Sequence, residues 1–192
     1  MLSFLVLRPA FFVSGFAHEL ERTRVSLRFV ADGAFTLDVS NDPEWLLLRL
    51  EPFAGHVTPT YRDPQQRDRR LAELAPVFID RIVLFVDGRE VRPESAEYVP
   101  PGVYRLHGRM PAGARSLRWF YGIVIDPYPL DVESADGSKT RVWVAGEAWS
   151  GPIDLTGRFH ARTRWQMTIA PLAAVAGLGL LAWYRRRERL RP

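Results

Sequence analysis

The chain has 192 residues, 47% of them hydrophobic and 25% charged, which is the composition of one globular domain with short appendages and excludes a disordered protein. Its formal net charge of +4 resides in the last eight residues, RRRERLRP, so residues 1–184 are close to neutral and a nucleic-acid partner is not expected. Cysteine is absent and Lys139 is the single lysine, which excludes disulfides, thiolate metal sites and cysteine nucleophiles and disfavours Schiff-base chemistry.

The first segment, residues 1–17, is typical of a signal peptide. One positive charge, Arg8, precedes the apolar run Pro9–Phe16, and small residues occupy the −3 and −1 positions of a cleavage site after Ala17. The alternative is a retained N-terminal helix, which is disfavoured because a charge and a proline would lie at its centre. Cleavage leaves His18 as the first residue of the mature chain.

A histidine at a new amino terminus gives a hypothesis of copper binding. The α-amine and the imidazole of His18 can bind one metal ion, and a second histidine completes a nitrogen-rich site suited to copper. His56 and His107 are the available partners, whereas His160 is expected near the membrane. In general design this resembles periplasmic copper carriers that begin with histidine after processing, although their Met- and His-rich pattern is absent here. The alternative is that the cleavage position simply tolerates a polar residue.

Residues 23–41 predict a β-hairpin, because apolar residues alternate with polar ones on both sides of an Asp-Gly turn. The alternating apolar residues are Val25, Leu27, Phe29, Phe35, Leu37 and Val39. The following segment, residues 42–53, fits either a short helix or a strand, and Asp42 with Pro43 suits a helix start.

Residues 65–79 predict a helix, since Leu71, Leu74 and Phe78 recur at helical spacing, with Pro76 interrupting it late. Strand pairs around Asp-Gly turns are predicted in 80–93 and 130–147, and two strands in 102–125. Together these patterns predict that residues 18–157 form a mainly β domain. The expected architecture is an antiparallel β-sandwich of immunoglobulin-like (Ig-like) topology with one helical insertion.

The segments RWFYGIVIDPYPLDV and VWVAGEAWSGPIDL, residues 118–132 and 142–155, are dense in aromatic side chains. Alternation places Trp119 and Tyr121 on one strand face and Phe120 on the other, and turns are expected at Asp126-Pro127 and Tyr128-Pro129. The aromatic residues either fill the core or form a partner-binding edge, as aromatic residues are enriched in protein interfaces. The second interpretation assigns partner contacts to Trp119, Tyr121, Tyr128 and Trp149.

Residues 166–184 predict a single transmembrane helix, because they contain no charge and would span about 28 Å. Residues 158–165 then form a juxtamembrane segment, and residues 185–192 a basic tail that the positive-inside rule places in the cytoplasm. The expected membrane anchors are Trp165, Trp183, Tyr184, Arg185, Arg186 and Arg187. Small residues in the span predict a homodimer contact, and a buried core helix is the alternative interpretation of this run.

The leader ending in AHEL, the hairpin RVSLRF…DGAFTLDV and the later WFYGIVIDPYPL and WSGPIDL resemble the extracytoplasmic β-domain of bacterial HupE/UreJ-like membrane proteins. The resemblance covers about residues 17–155 and implies a bacterial envelope protein with its β-domain outside. Members of that family continue into a multi-helix membrane domain with metal-transport associations, whereas one span is predicted here.

These features predict a single-pass protein of the bacterial inner membrane that acts without catalysis, as an accessory or scaffold subunit. Its expected partners are the lipid bilayer and another membrane or periplasmic protein. A catalytic alternative pairs carboxylates among Asp126, Glu133 and Glu147, but no nucleophile motif accompanies them. Copper binding through His18 is the second functional hypothesis.

Overall fold

The computed structural model describes residues 23–160, which contain ten strands and three α-helices. The strands are β1 Arg24–Phe29, β2 Ala34–Ser40, β3 Ile82–Val86, β4 Arg89–Val91, β5 Ser95–Val99, β6 Val103–Arg109, β7 Ser116–Tyr121, β8 Pro127–Glu133, β9 Lys139–Ala145 and β10 Ile153–Asp154. The helices are α1 Pro43–Leu50, α2 Pro64–Glu73 and α3 Ala75–Ile79. The predicted signal peptide, His18 and the predicted transmembrane helix lie outside the described residues.

The predicted hairpin is confirmed and lies inside the larger sheet. Strands β1 and β2 pair antiparallel with Leu27 opposite Leu37, so the alternating apolar residues of both strands are buried on one face. The turn has positive φ at Asp32 and Gly33, a conformation that glycine adopts freely and aspartate tolerates. The local pattern therefore determines both the pairing and the buried face.

The strands form two sheets, and the fold is mainly β with mostly antiparallel pairing. The six-stranded sheet has the order β5-β6-β2-β1-β8-β9, and the four-stranded sheet has the order β10-β7-β3-β4. The pair β1–β8 is parallel, and the other pairs are antiparallel. Strands β6 and β7, adjacent in the sequence, belong to different sheets, so the Pro111–Gly113 turn carries the chain from one sheet to the other.

One hydrophobic core joins the inner faces of the two sheets. The indole N–H of Trp119 on β7 donates to the hydroxyl of Tyr128 on β8 at 2.7 Å, which links the sheets through a buried hydrogen bond. Phe78 of α3 stacks on Tyr104 of β6 with ring centroids 3.9 Å apart. The three helices therefore contribute to the same core as the strands.

The helices follow local capping signals. Asp42 and Asp63 precede α1 and α2, and each carboxylate accepts a hydrogen bond from a backbone N–H of the first turn, with proline at the first helical position. The expectation of one helical insertion is too simple, because α1 lies within residues 42–53 and the predicted helix divides at Leu74 into α2 and α3. Among residues 23–160, no helix has the length and apolar character that crossing a bilayer requires.

The chain bends at Asp126 directly before β8, near the first expected turn, but the second expected turn, at Tyr128-Pro129, is wrong, since both residues lie within β8. The pairing of β8 with β1 begins only at Leu130, so Pro127 and Pro129 lie in the part of the strand that pairs with β9 alone. Proline has no N–H to donate to a ladder, and it is tolerated where one side of a strand is unpaired. Strands β5 and β10 are not predicted by the sequence pattern.

Candidate partner-binding surface

The outer face of the four-stranded sheet is built from alternate residues of β3 and β7. Phe85 pairs with Arg118 and Val83 pairs with Phe120 across these strands. Because successive residues of a strand point to opposite faces, Arg118 and Phe120 point outward while Trp119 points into the core. This arrangement places a half-buried aromatic ring on the outer surface.

A backbone hydrogen-bonded segment brings Trp149 onto the same surface. The N–H of Ser150 donates to the carbonyl of Trp119 at 2.8 Å, and the hydroxyl of Ser150 accepts from the N–H of Trp119 at 2.9 Å. A little further along, Ile153 of β10 pairs with Leu117. The segment therefore runs beside β7 like an added strand and fixes the position of Trp149 beside Phe120.

The aromatic side chains form a cluster with one cation, which we call the Trp149 face: Phe85, Arg118, Phe120 and Trp149. The Trp149 ring lies 5.3 Å from the Phe120 ring and 6.0 Å from the Phe85 ring, measured between centroids. The guanidinium carbon of Arg118 lies 5.1 Å from the Trp149 centroid, a cation–π distance. Trp149 is 40% exposed and Phe85 is 37% exposed, so an amphipathic surface is available to a partner.

Three residues predicted to contact a partner are core residues instead. Trp119, Tyr121 and Tyr128 are at most 1% exposed, so no partner can reach their side chains in this structure. Their polar atoms are satisfied internally, since Tyr121 donates to Asn41 at 3.0 Å and Trp119 donates to Tyr128. Burial raises the pKa of the Tyr121 and Tyr128 hydroxyls well above the usual range. Trp149 alone of the four predicted contacts is exposed.

The surface positions of Phe85 and Phe120 were not predicted from the sequence. Phe85 belongs to the run IVLFV, which has no alternation that distinguishes inward from outward positions. Phe120 was correctly separated from Trp119 and Tyr121, but alternation does not indicate which face is the inner one. The available signal was the charge of Arg118, which shares a face with Phe120 and favours solvent.

His56, one of the predicted metal ligands, lies in an ion-pair cluster at the end of α1. Its Nδ1 is 2.9 Å from an Nη of Arg70 and 3.3 Å from a carboxylate oxygen of Glu51. Arg70 binds both oxygens of Glu51 at 2.7 Å and reaches Glu73 at 3.0 Å. The hydrogen bonds from Arg70 are the main reason that the pKa of Glu51 is lowered. This cluster ties α1 to α2.

His107, the other predicted ligand, lies on the exposed face of the six-stranded sheet. Its Nδ1 is 3.4 Å from the hydroxyl of Thr36, the residue opposite it on β2. Within residues 23–160, no three histidines, cysteines or carboxylates are grouped so that they could hold a metal ion. His18 is outside these residues, so copper binding stays a prediction.

Of the three suggested carboxylates, Asp126 and Glu133 lie at opposite ends of strand β8, whereas Asp126 and Glu147 lie at the same end, beside the paired residues Pro127 and Ala145. Asp126 precedes the strand and Glu133 ends it, which places them roughly 23 Å apart at the usual rise per residue. Glu133 instead forms ion pairs with Arg28 and Lys139, both at 3.4 Å. A catalytic pair of Asp126 and Glu133 is therefore wrong.

No protein-family model matches this chain, and comparison with curated proteins and with solved structures also finds no match. The resemblance to HupE/UreJ-like proteins stays a prediction from the sequence.

Proposed function

We propose that this chain is a non-enzymatic bacterial envelope protein whose β-domain binds another membrane or periplasmic protein through the Trp149 face. The observation that carries the proposal is the exposed cluster of Phe85, Phe120 and Trp149 with Arg118 stacked on the indole. Tryptophan and arginine are enriched among the residues that dominate binding energy at protein interfaces.

The chemistry of the Trp149 face defines the partner that fits it. Two exposed rings favour an apolar pocket or a flat apolar patch, and the guanidinium of Arg118 favours a carboxylate beside it. The Trp149 ring is held by a segment that hydrogen-bonds to β7, so little conformational entropy is lost when the ring is covered. The face is therefore suited to binding a folded protein with an acidic residue at the rim of an apolar patch.

The strand order supports an Ig-like sandwich as the scaffold for this binding. The order β1-β2-β6-β5 matches the A-B-E-D sheet of an immunoglobulin domain, and β3 beside β7 matches strands C and F. Strand β8, which would correspond to G, pairs with β1 instead of β7. Sandwich domains of this kind present exposed faces and loops on a rigid core.

Membrane attachment belongs to the same proposal. The uncharged run of residues 166–184, followed by the arginines of the tail, supports a single span with the β-domain outside and the tail in the cytoplasm. Removal of residues 1–17 during export completes this topology. A domain held at the inner membrane surface meets membrane and periplasmic partners at high effective concentration.

Co-purification of the full chain from its native membrane in mild detergent tests the proposal. We expect the wild-type chain to recover a partner protein. The control variant Leu48→Ala, at a 58% exposed apolar position on α1, should recover the same partner equally well. Trp149→Ala should weaken recovery of the same partner about 30-fold, since interface tryptophans contribute about 2 kcal/mol. A chain that elutes alone, or a partner whose recovery does not depend on Trp149, contradicts the proposal.

A further inference from the structure

The sheets in residues 23–160 have four edge strands, and three of them carry the usual protection against pairing with another chain. Strand β5 contacts helices α2 and α3, whereas β4 has only three residues and β10 only two. Covering an edge and shortening it are two ways in which folded proteins prevent strand pairing between molecules.

Strand β9 is the exception. It has seven residues without proline, it is the last strand of the six-stranded sheet, and no described strand pairs with its free side. Its Trp143 is 66% exposed, the largest exposed ring on that sheet. Its two cations are already paired across β8, Lys139 with Glu133 at 3.4 Å and Arg141 with Asp131 at 2.6 Å. The edge therefore presents a long backbone ladder without unpaired side-chain charge.

We infer that β9 pairs antiparallel with β9 of a second copy of the chain, about a two-fold axis at Val142. The six-stranded sheets of the two copies then continue into one sheet. This dimer contact uses neither the Trp149 face nor the predicted transmembrane helix, so it is independent of the proposed function.

The register follows from the side chains of β9. With Val142 opposite its own copy, all seven residues pair, Arg141 lies opposite Trp143 of the second copy, and Lys139 lies opposite Ala145. Each Arg141–Trp143 pair is a cation–π contact, and the two-fold axis forms it twice. If the two-fold axis lay at Arg141, the arginines of the two copies would lie opposite each other. If it lay at Trp143, only five residues of each β9 would pair.

Asp131 prepares Arg141 for this contact. It accepts two hydrogen bonds from Arg141, at 2.6 and 2.9 Å, which hold the guanidinium on the outer face of the sheet. Trp143 lies opposite Pro129 of β8 in the strand register. The guanidinium of Arg141 is therefore positioned before association, which lowers the entropic cost of the contact.

The absence of cysteine allows a direct test of the register in the full chain. In the proposed dimer the two Val142 Cα atoms are about 4.5–5.5 Å apart, within the range for a disulfide. We expect Val142→Cys in native membranes to form a covalent dimer when diamide oxidises the two thiols, and dithiothreitol to reverse it.

Two single-cysteine controls accompany Val142→Cys. Lys139→Cys keeps the cysteine on β9 but about 20 Å from its copy, and Glu97→Cys places it on the β5 edge. Neither should cross-link. As a second measurement, a tagged Arg141→Cys copy mixed with a Trp143→Cys copy should form a cross-linked heterodimer, which tests the register without changing Val142.

Three results would overturn the proposal. The first is equal cross-linking of Val142→Cys, Lys139→Cys and Glu97→Cys, and the second is that neither the Val142→Cys dimer nor the Arg141→Cys/Trp143→Cys heterodimer forms. The third is a disulfide between Val142→Cys and a different protein. Sedimentation equilibrium of the full chain in detergent is the independent measurement. Trp143→Lys should weaken self-association about tenfold, because it removes two cation–π contacts and opposes like charges. Self-association that Trp143→Lys leaves unchanged places the dimer contact elsewhere and overturns the proposal.

Discussion

The outer faces of the two sheets differ in how their side chains are satisfied. On the six-stranded sheet, away from the exposed Trp143 of β9, charged residues pair across neighbouring strands, as Arg105 does with Asp38 at 2.8 Å and Arg141 with Asp131 at 2.6 Å. On the four-stranded sheet, Phe85, Phe120 and Trp149 contact one another but stay partly exposed. A face of paired charges is complete in water, whereas a face of exposed rings gains free energy when it is covered. The comparison therefore locates the candidate binding surface.

The largest expected effect distinguishes the two sides of a single strand. Trp119→Ala should lower the free energy of unfolding by about 3–5 kcal/mol, because it leaves a cavity and an unpaired Tyr128 hydroxyl in the core. Phe120→Ala, one residue later on the outer face, should cost less than half as much. Urea unfolding followed by circular dichroism measures both, and equal losses would contradict the assignment of inner and outer faces.

The second effect compares a buried ion pair with the exposed pairs of the six-stranded sheet. Glu51 is almost fully buried and binds Arg70 through both oxygens, so Glu51→Gln should cost about 3 kcal/mol at pH 7. Because the pKa of Glu51 is below its ordinary value of 4.5, its contribution is complete above pH 4.5 and is lost as the pH falls through the folded-state pKa.

Urea unfolding between pH 6 and pH 3 checks this pH dependence. The wild type should lose more stability over that range than Glu51→Gln, which has no carboxyl group at this position. The control is Glu73→Gln, which removes the exposed carboxylate that also pairs with Arg70. Its free energy of unfolding should follow the wild-type pH dependence more closely than that of Glu51→Gln. Parallel profiles for the wild type and Glu51→Gln would show that the buried pair does not act as described.

A smaller effect concerns the hydrogen bond that joins the inner faces. Tyr128→Phe removes the hydroxyl that accepts the Trp119 indole N–H and leaves that donor buried and unpaired, which should cost about 1–3 kcal/mol. Tyr61→Phe, at a half-buried tyrosine outside this contact, is the control. If Tyr128→Phe leaves the free energy of unfolding unchanged, this hydrogen bond does not help to hold the sheets together.

The smallest effect is expected on the charged outer face. Asp38→Asn removes the partner of Arg105 at a solvent-accessible site and should change stability by less than about 1 kcal/mol. The difference from the wild type should shrink further at high salt. A loss as large as that of Glu51→Gln would contradict the contrast between buried and exposed pairs.

Several elements were predictable because their determinants are local. The hairpin of β1 and β2, the strand pairs at the other Asp-Gly turns and the buried face of α2 and α3 all follow from short-range periodicity and turn residues. The division of the helix at Leu74 also has a local signal, since Pro76 lies in the first turn of α3. The course of β8 through two prolines depends instead on its strand neighbours, about which short patterns contain no information.

The sequence by itself determined a mainly β domain, three strand pairs and the aromatic density of residues 118–155, and the membrane segments stay predictions from the sequence. Only the tertiary structure decided that Trp119 and Tyr121 point into the core while Phe120 and Trp149 lie outside, and that β9 is the long edge strand within residues 23–160. The physical reason is that aromatic residues occupy both faces of β7, so alternation separates these two faces but does not say which of them a second sheet will cover.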